Sequence, residues 1–113
     1  FLYIGDMLND VISSGASTYS RTAVTSTLTA SVDSKIIGIS ASAAVEIRLP
    51  SASNYTSGQH FVVKDEGGNC NVNNITIRAS GSQTIDGTNS IVLESPYAAV
   101  NIYSDGASKF FVY

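Results

Sequence analysis

One cysteine, Cys70, stands in the whole chain, so no intrachain disulfide can form. It lies in the turn-like run Gly67-Gly68-Asn69-Cys70-Asn71 with no neighbour that would depress its pKa, and reads as a small loop residue. Tryptophan is absent and histidine occurs once, at His60. A single histidine excludes a multi-histidine metal site within one chain. Charged residues make up 13% of the chain, about half the usual share. The net charge is −3, and Lys35, Arg48, Lys64, Arg78 and Lys109 stand singly, so no basic stripe exists to neutralise phosphates. No nucleic-acid partner is expected. No apolar run approaches the roughly 18 residues of a membrane span, and no signal peptide is visible. Membrane insertion is not expected.

Ser, Thr, Asn, Ala and Gly replace the missing charge. They solvate a surface without repelling a neighbour, which suits a β-protein partly covered by copies of itself. The 113 residues make one domain of ordinary size with a modest core. Phe1 in place of an initiating Met reads as a fragment or processed product.

Residues 1–19 form one unit, a helix or stalk with its linker, and residues 20–113 a second, the β-domain. In the first, Phe1, Ile4, Leu8 and Val11 recur at the spacing of a single helical seam, which would pack against copies of itself in a trimer. Gly5 weakens a helix here, so a strand or an unstructured stub fits the segment equally well. Ser13 to Ser20 has the composition of a linker.

From Thr22 on, short alternating runs are separated by Gly, Asn and Asp turns. Thr22–Thr29 reads as one strand and Lys35–Ala41 as a strand covered on both faces. Ala44–Leu49 alternates Val45, Ile47 and Leu49 inward with Glu46 and Arg48 outward, until Pro50 ends it. His60–Asp65, Asn74–Arg78, Gln83–Asp86, Ser90–Glu94, Tyr97–Tyr103 and Lys109–Tyr113 complete about nine strands. Asp105-Gly106 marks a hairpin before the last one. The expected fold class is all-β, an antiparallel β-sandwich or jelly-roll-like head.

The order of these pieces resembles a C-terminal module of tailed-phage tail fibres and tailspikes and of related viral head fibres or spikes. The resemblance rests on Thr22–Leu28, Ile36–Ile39, Val45–Pro50, Gly58–Asp65, Gly67–Asn69, Asn74–Ile77, Thr84–Gly87, Tyr97–Gly106 and Phe110–Tyr113. Phe110-Phe111 stands where such sequences usually carry a Trp. The resemblance implies a homotrimer on the virion surface, attached to an upstream part of a fibre or capsid. It implies attachment to a host-cell glycan or protein receptor; no residue set in the chain looks like an active site, and neither catalysis nor a cofactor is expected. A trimerisation or capsid-decoration module that binds no receptor is the alternative, and a carbohydrate depolymerase a third.

Tyrosine beside Asn and Ser in loops gives rigid contact area with adaptable hydrogen bonds. On that basis the loops 51–59 and 66–73 are expected to face a receptor, through Asn54, Tyr55, Gln59, Asn69 and Asn71, together with Tyr97 at the turn after Pro96. A depolymerase needs two carboxylates about 5–10 Å apart, for which Asp65 or Glu66 with Asp86 would have to converge. Those acids sit at strand ends beside Gly, Ser or Asn, where Asp forms turns. Asp65 with Asn69, Asn71 and Asn73 makes a loose oxygen cluster without the fixed spacing of a calcium loop, and no metal is expected.

Overall fold

The structure is a computed structural model that describes residues 18–113. The seam Phe1, Ile4, Leu8 and Val11, and with it the helix-or-strand question, lies outside the described residues.

Among the described residues ten strands form: β1 (Arg21–Val24), β2 (Leu28–Thr29), β3 (Ile36–Ile39), β4 (Val45–Arg48), β5 (His60–Asp65), β6 (Ile75–Arg78), β7 (Thr84–Ile85), β8 (Ser90–Leu93), β9 (Ala99–Ser104) and β10 (Lys109–Val112). A one-turn 3-10 helix at Ala52–Asn54 follows Pro50. The described residues are all-β in two sheets, with strands in the order β1-β3-β5-β9-β10-β7 and β2-β4-β6-β8. Period-two alternation sets the buried faces: Val45 and Ile47 are buried while Arg48 is exposed, and Phe61 and Val63 are buried while His60 is exposed. The two inner faces enclose one core. Ile37, Ile39, Phe61, Val63, Ile102 and Phe110 come from the larger sheet, and Ile47, Ile75 and Ile77 from the smaller. Each such side chain contributes about 1.5–3 kcal/mol on burial.

The expected single strand Thr22–Thr29 is two strands in different sheets. The chain turns the corner at Thr25–Thr27, where all three side chains face solvent and the Thr27 hydroxyl accepts the amide of Glu46. Alternation continues across the break, so the pattern alone does not reveal it.

The antiparallel order is corrected more widely. It holds for β6/β8, β5/β9 and β9/β10. The pairs β1/β3, β3/β5, β2/β4, β4/β6 and β7/β10 are parallel. Successive strands from β1 to β6 alternate between the sheets, so Arg21 lies beside Ile36 and Ile36 beside Val62. That is a solenoid-like coil, closed at its downstream end by the antiparallel strands β8 and β9. Burial periodicity records which face is covered and carries no information about strand direction; the Asp105-Gly106 hairpin does join an antiparallel pair, β9/β10.

Candidate functional site

β5 runs outward from His60 and ends at Asp65, whose side chain turns inward and is 2% exposed. A carboxylate buried this deeply needs donors, and it has three. Oδ1 accepts the amide of Gly68 at 3.1 Å. Oδ2 accepts the amides of Cys70 at 3.1 Å and Tyr97 at 3.0 Å. Burial pushes the Asp65 carboxyl up, but the hydrogen bonds it accepts, those of the Cys70 and Tyr97 amides foremost, together hold the group below the usual carboxylate range. One side chain thus ties the 66–73 loop to the turn before β9. The carboxylate is occupied by N–H donors, which answers the idea of an oxygen cluster for calcium: its strongest member faces the wrong way.

Tyr97 sits at φ +64°, in the left-handed region that a bulky residue rarely adopts. Its ring lies against Gly68, where an added Cβ would come within 2.6 Å of Cζ. Gly68 is itself at φ +74°, so both the close approach and the backbone angle require glycine. The Lys64 ammonium donates to the Tyr97 carbonyl and stands 5.8 Å from the ring centroid. Tyr97 nevertheless remains 60% exposed, and Asn69 and Asn71 of the tied loop are exposed at the same end. The result is a rigidly held aromatic face with two free amides and one cation beside it.

The site holds no ready nucleophile. Cys70 is buried, its thiol donates to the Ser95 carbonyl at 2.8 Å, and burial, followed by neighbouring Asp65, pushes its pKa up.

The six residues expected to face a receptor fall into two groups. Asn69, Asn71 and Tyr97 come together beyond the Asp65 end of β5. Asn54, Tyr55 and Gln59 belong to the His60 end, roughly 17 Å away along the strand. Only Asn54 of the second group is exposed. Tyr55 is buried and is corrected to a core residue: its ring stacks on Phe61 at 5.6 Å and meets Phe110 edge-on at 5.7 Å. Burial lifts its phenol to about 12. Gln59 is half-buried and both ends of its amide are engaged, accepting from the Thr56 amide and donating to the Val32 carbonyl at 2.8 Å. It braces the loop and offers nothing outward.

Asp65 and Asp86 do not converge. Asp86 bonds Phe110 and Val112 of β10, level with the His60 end of β5, so the carboxylates lie more than about 15 Å apart. Lys64 escaped the sequence reading because only tertiary folding brings it to Tyr97. The role of Asp65 had a signal, an Asp closing a strand just before Gly and Asn.

A scan of family models finds no match to the chain, and a search of curated proteins finds none either. No helix among the described residues is long and apolar enough to cross a membrane.

Proposed function

We propose that the chain is the distal domain of a homotrimeric virion fibre or spike, and that it attaches the particle to a host-surface glycan through the Tyr97 end. The observation that carries this reading is Tyr97 itself. A left-handed backbone at a bulky residue costs on the order of 1–3 kcal/mol, and an exposed ring recovers little of that by burial. Gly or Asn would take the same turn without that cost. What Tyr adds is a flat apolar face in solvent, held still by Asp65 and flanked by Asn69 and Asn71. Such a face stacks against the C–H side of a sugar ring, and the amides meet its hydroxyls. Each contact is weak, and three copies on one fibre multiply it.

The ordered succession of motifs supports the fibre assignment. Assembly is supported by the outer face of the larger sheet. There Tyr103 lies 5.5 Å from Phe111 and 5.6 Å from Tyr113, and His60 lies edge-on to Tyr113 at 6.3 Å. This aromatic band, bordered by Lys35 and Lys109, gives a second copy a ring surface to pack on. It also favours the second reading, a trimerisation or decoration module that binds no receptor.

Sedimentation at neutral pH and low concentration tests the assembly. A mass of three chains is expected, and a monomer overturns the trimeric reading of this domain. Competition with intact particles for host cells separates the two functions. Wild-type domain that blocks adsorption while Tyr97→Ser does not supports attachment; no competition by either supports the structural module.

A further inference from the structure

The outer face of the smaller sheet carries a second constellation unrelated to Tyr97. Parallel register sets Arg48 of β4 directly beside Arg78 of β6. Thr29 of β2 and Ser90 of β8 complete the same row on either side. Neighbouring strands lie about 4.8 Å apart, and like charges directly opposite each other destabilise a sheet. Among the described residues one carboxylate offsets this pair. Glu46, one row along, accepts from Arg78 Nε and, at a long 3.4 Å, from Arg48 Nη2. Arg78 Nη1 reaches only Asn89 Oδ1, again at 3.4 Å. Glu94 lies beyond the end of β8 remote from Ser90, so it does not complete the balance.

Two cations therefore share one anion. Glu46 is 24% exposed, whereas the Arg48 and Arg78 side chains are 58% and 47% exposed. Each guanidinium has five donors in a fixed fork, of which Arg48 places one on Glu46, and Arg78 one on Glu46 and one on Asn89. An incoming carboxylate finds a matched geometry and an unbalanced positive charge.

We propose that this row binds the carboxylate of an acidic polysaccharide strand, forked between Arg48 and Arg78, with the Thr29 and Ser90 hydroxyls meeting sugar hydroxyls on either side. Charge complementarity selects an anion, and bidentate pairing suits a planar carboxylate. The row is four strands wide, about 14 Å, on an open face without walls. That shape accommodates a chain of sugars laid across the strands. The site is independent of the Tyr97 end and stands or falls separately from it.

The test is an NMR titration of the isotopically labelled domain, following the arginine Nε–H and sheet amide resonances. The probes are a galacturonic-acid oligosaccharide, a neutral oligosaccharide of equal length, a sulfated one and acetate. Galacturonate is expected to shift Arg48, Arg78, Thr29 and Ser90, and the neutral sugar to leave them in place. Arg48→Gln and Arg48→Lys are expected to weaken binding on the order of ten-fold, since a charged hydrogen bond or its fork is lost. Glu46→Gln removes the competing carboxylate and is expected to tighten binding about five-fold. A merely structural ion triad would not respond in that direction. The proposal is overturned if galacturonate shifts neither arginine, if Glu46→Gln weakens binding, or if acetate binds as well as the oligosaccharide. A sulfated oligosaccharide that binds where galacturonate does not overturns the choice of carboxylate. Preserved amide dispersion in Arg48→Lys and Glu46→Gln keeps the test clear of misfolding.

Discussion

The buried carboxylate of Asp65 accepts the backbone amide of Tyr97 at 3.0 Å, and the residue it holds there is an exposed aromatic at φ +64°. The two residues come from the end of β5 and the turn before β9, which pair antiparallel through Lys64 and Ala99. A single acceptor thereby links the core to the most conspicuous ring on the surface. The attachment reading depends on that link.

Asp65→Asn turns one acceptor oxygen into a donor facing other donors. The expected loss is about 1.5–3 kcal/mol in urea unfolding at neutral pH. The acid limb changes as well. The folded carboxyl titrates below its unfolded value of about 3.9, so its contribution is present above that pH and disappears as pH falls through the folded pKa. Below about pH 4 the wild type should therefore lose stability more steeply than the variant. Parallel acid limbs would show that Asp65 is not held as described.

Tyr97→Gly removes the strained angle together with the ring. Stability is expected to stay within about 1 kcal/mol of wild type or to rise, because relief of strain offsets the contacts with Gly68 and Lys64. A loss of several kcal/mol in thermal or urea unfolding would make Tyr97 a packing residue and remove the main support for attachment.

Tyr55 behaves oppositely despite a similar sequence setting. Tyr55→Ala is expected to cost about 3–5 kcal/mol, as for other large aromatic truncations in a core. The fold also favours its neutral phenol, and this separate, ionisation-linked stabilisation is complete below the unfolded pKa near 10 and is lost as pH rises towards about 12. Ultraviolet titration compared with Tyr55→Phe should find Tyr55 ionising late, together with unfolding; its ionisation near 10 in the folded domain would contradict the burial.

Cys70 should resist thiol reagents in the folded domain and react at the ordinary rate in denaturant, since the thiol is buried and engaged with Ser95. Rapid labelling of native protein would place the 66–73 loop in an open state.

The strands were largely legible in the sequence, because each buries one face: Val45 and Ile47 against Arg48, Ile75 and Ile77 against Arg78. The direction of those strands was not, since a parallel coil and an antiparallel meander impose the same alternation. The corner at Thr25–Thr27 was hidden for a related reason: Val24 and Leu28 face the one core from two different sheets. Tyr55 and Tyr97 show the limit for the site. Both stand in polar loops, and only the arrival of Phe61 and Phe110 buries one while Gly68 and Asp65 display the other. The separation of Asn54 from Asn69 was readable, because β5 lies between their loops and must hold them at opposite ends.

A glycan array probed with the purified domain and with Tyr97→Ser tests the central claim most directly. The expected result is a set of related glycans bound by the wild type and lost in the variant, with the fold intact by circular dichroism. Binding that Tyr97→Ser leaves unchanged, or no binding across a broad array, would contradict attachment through the Tyr97 end.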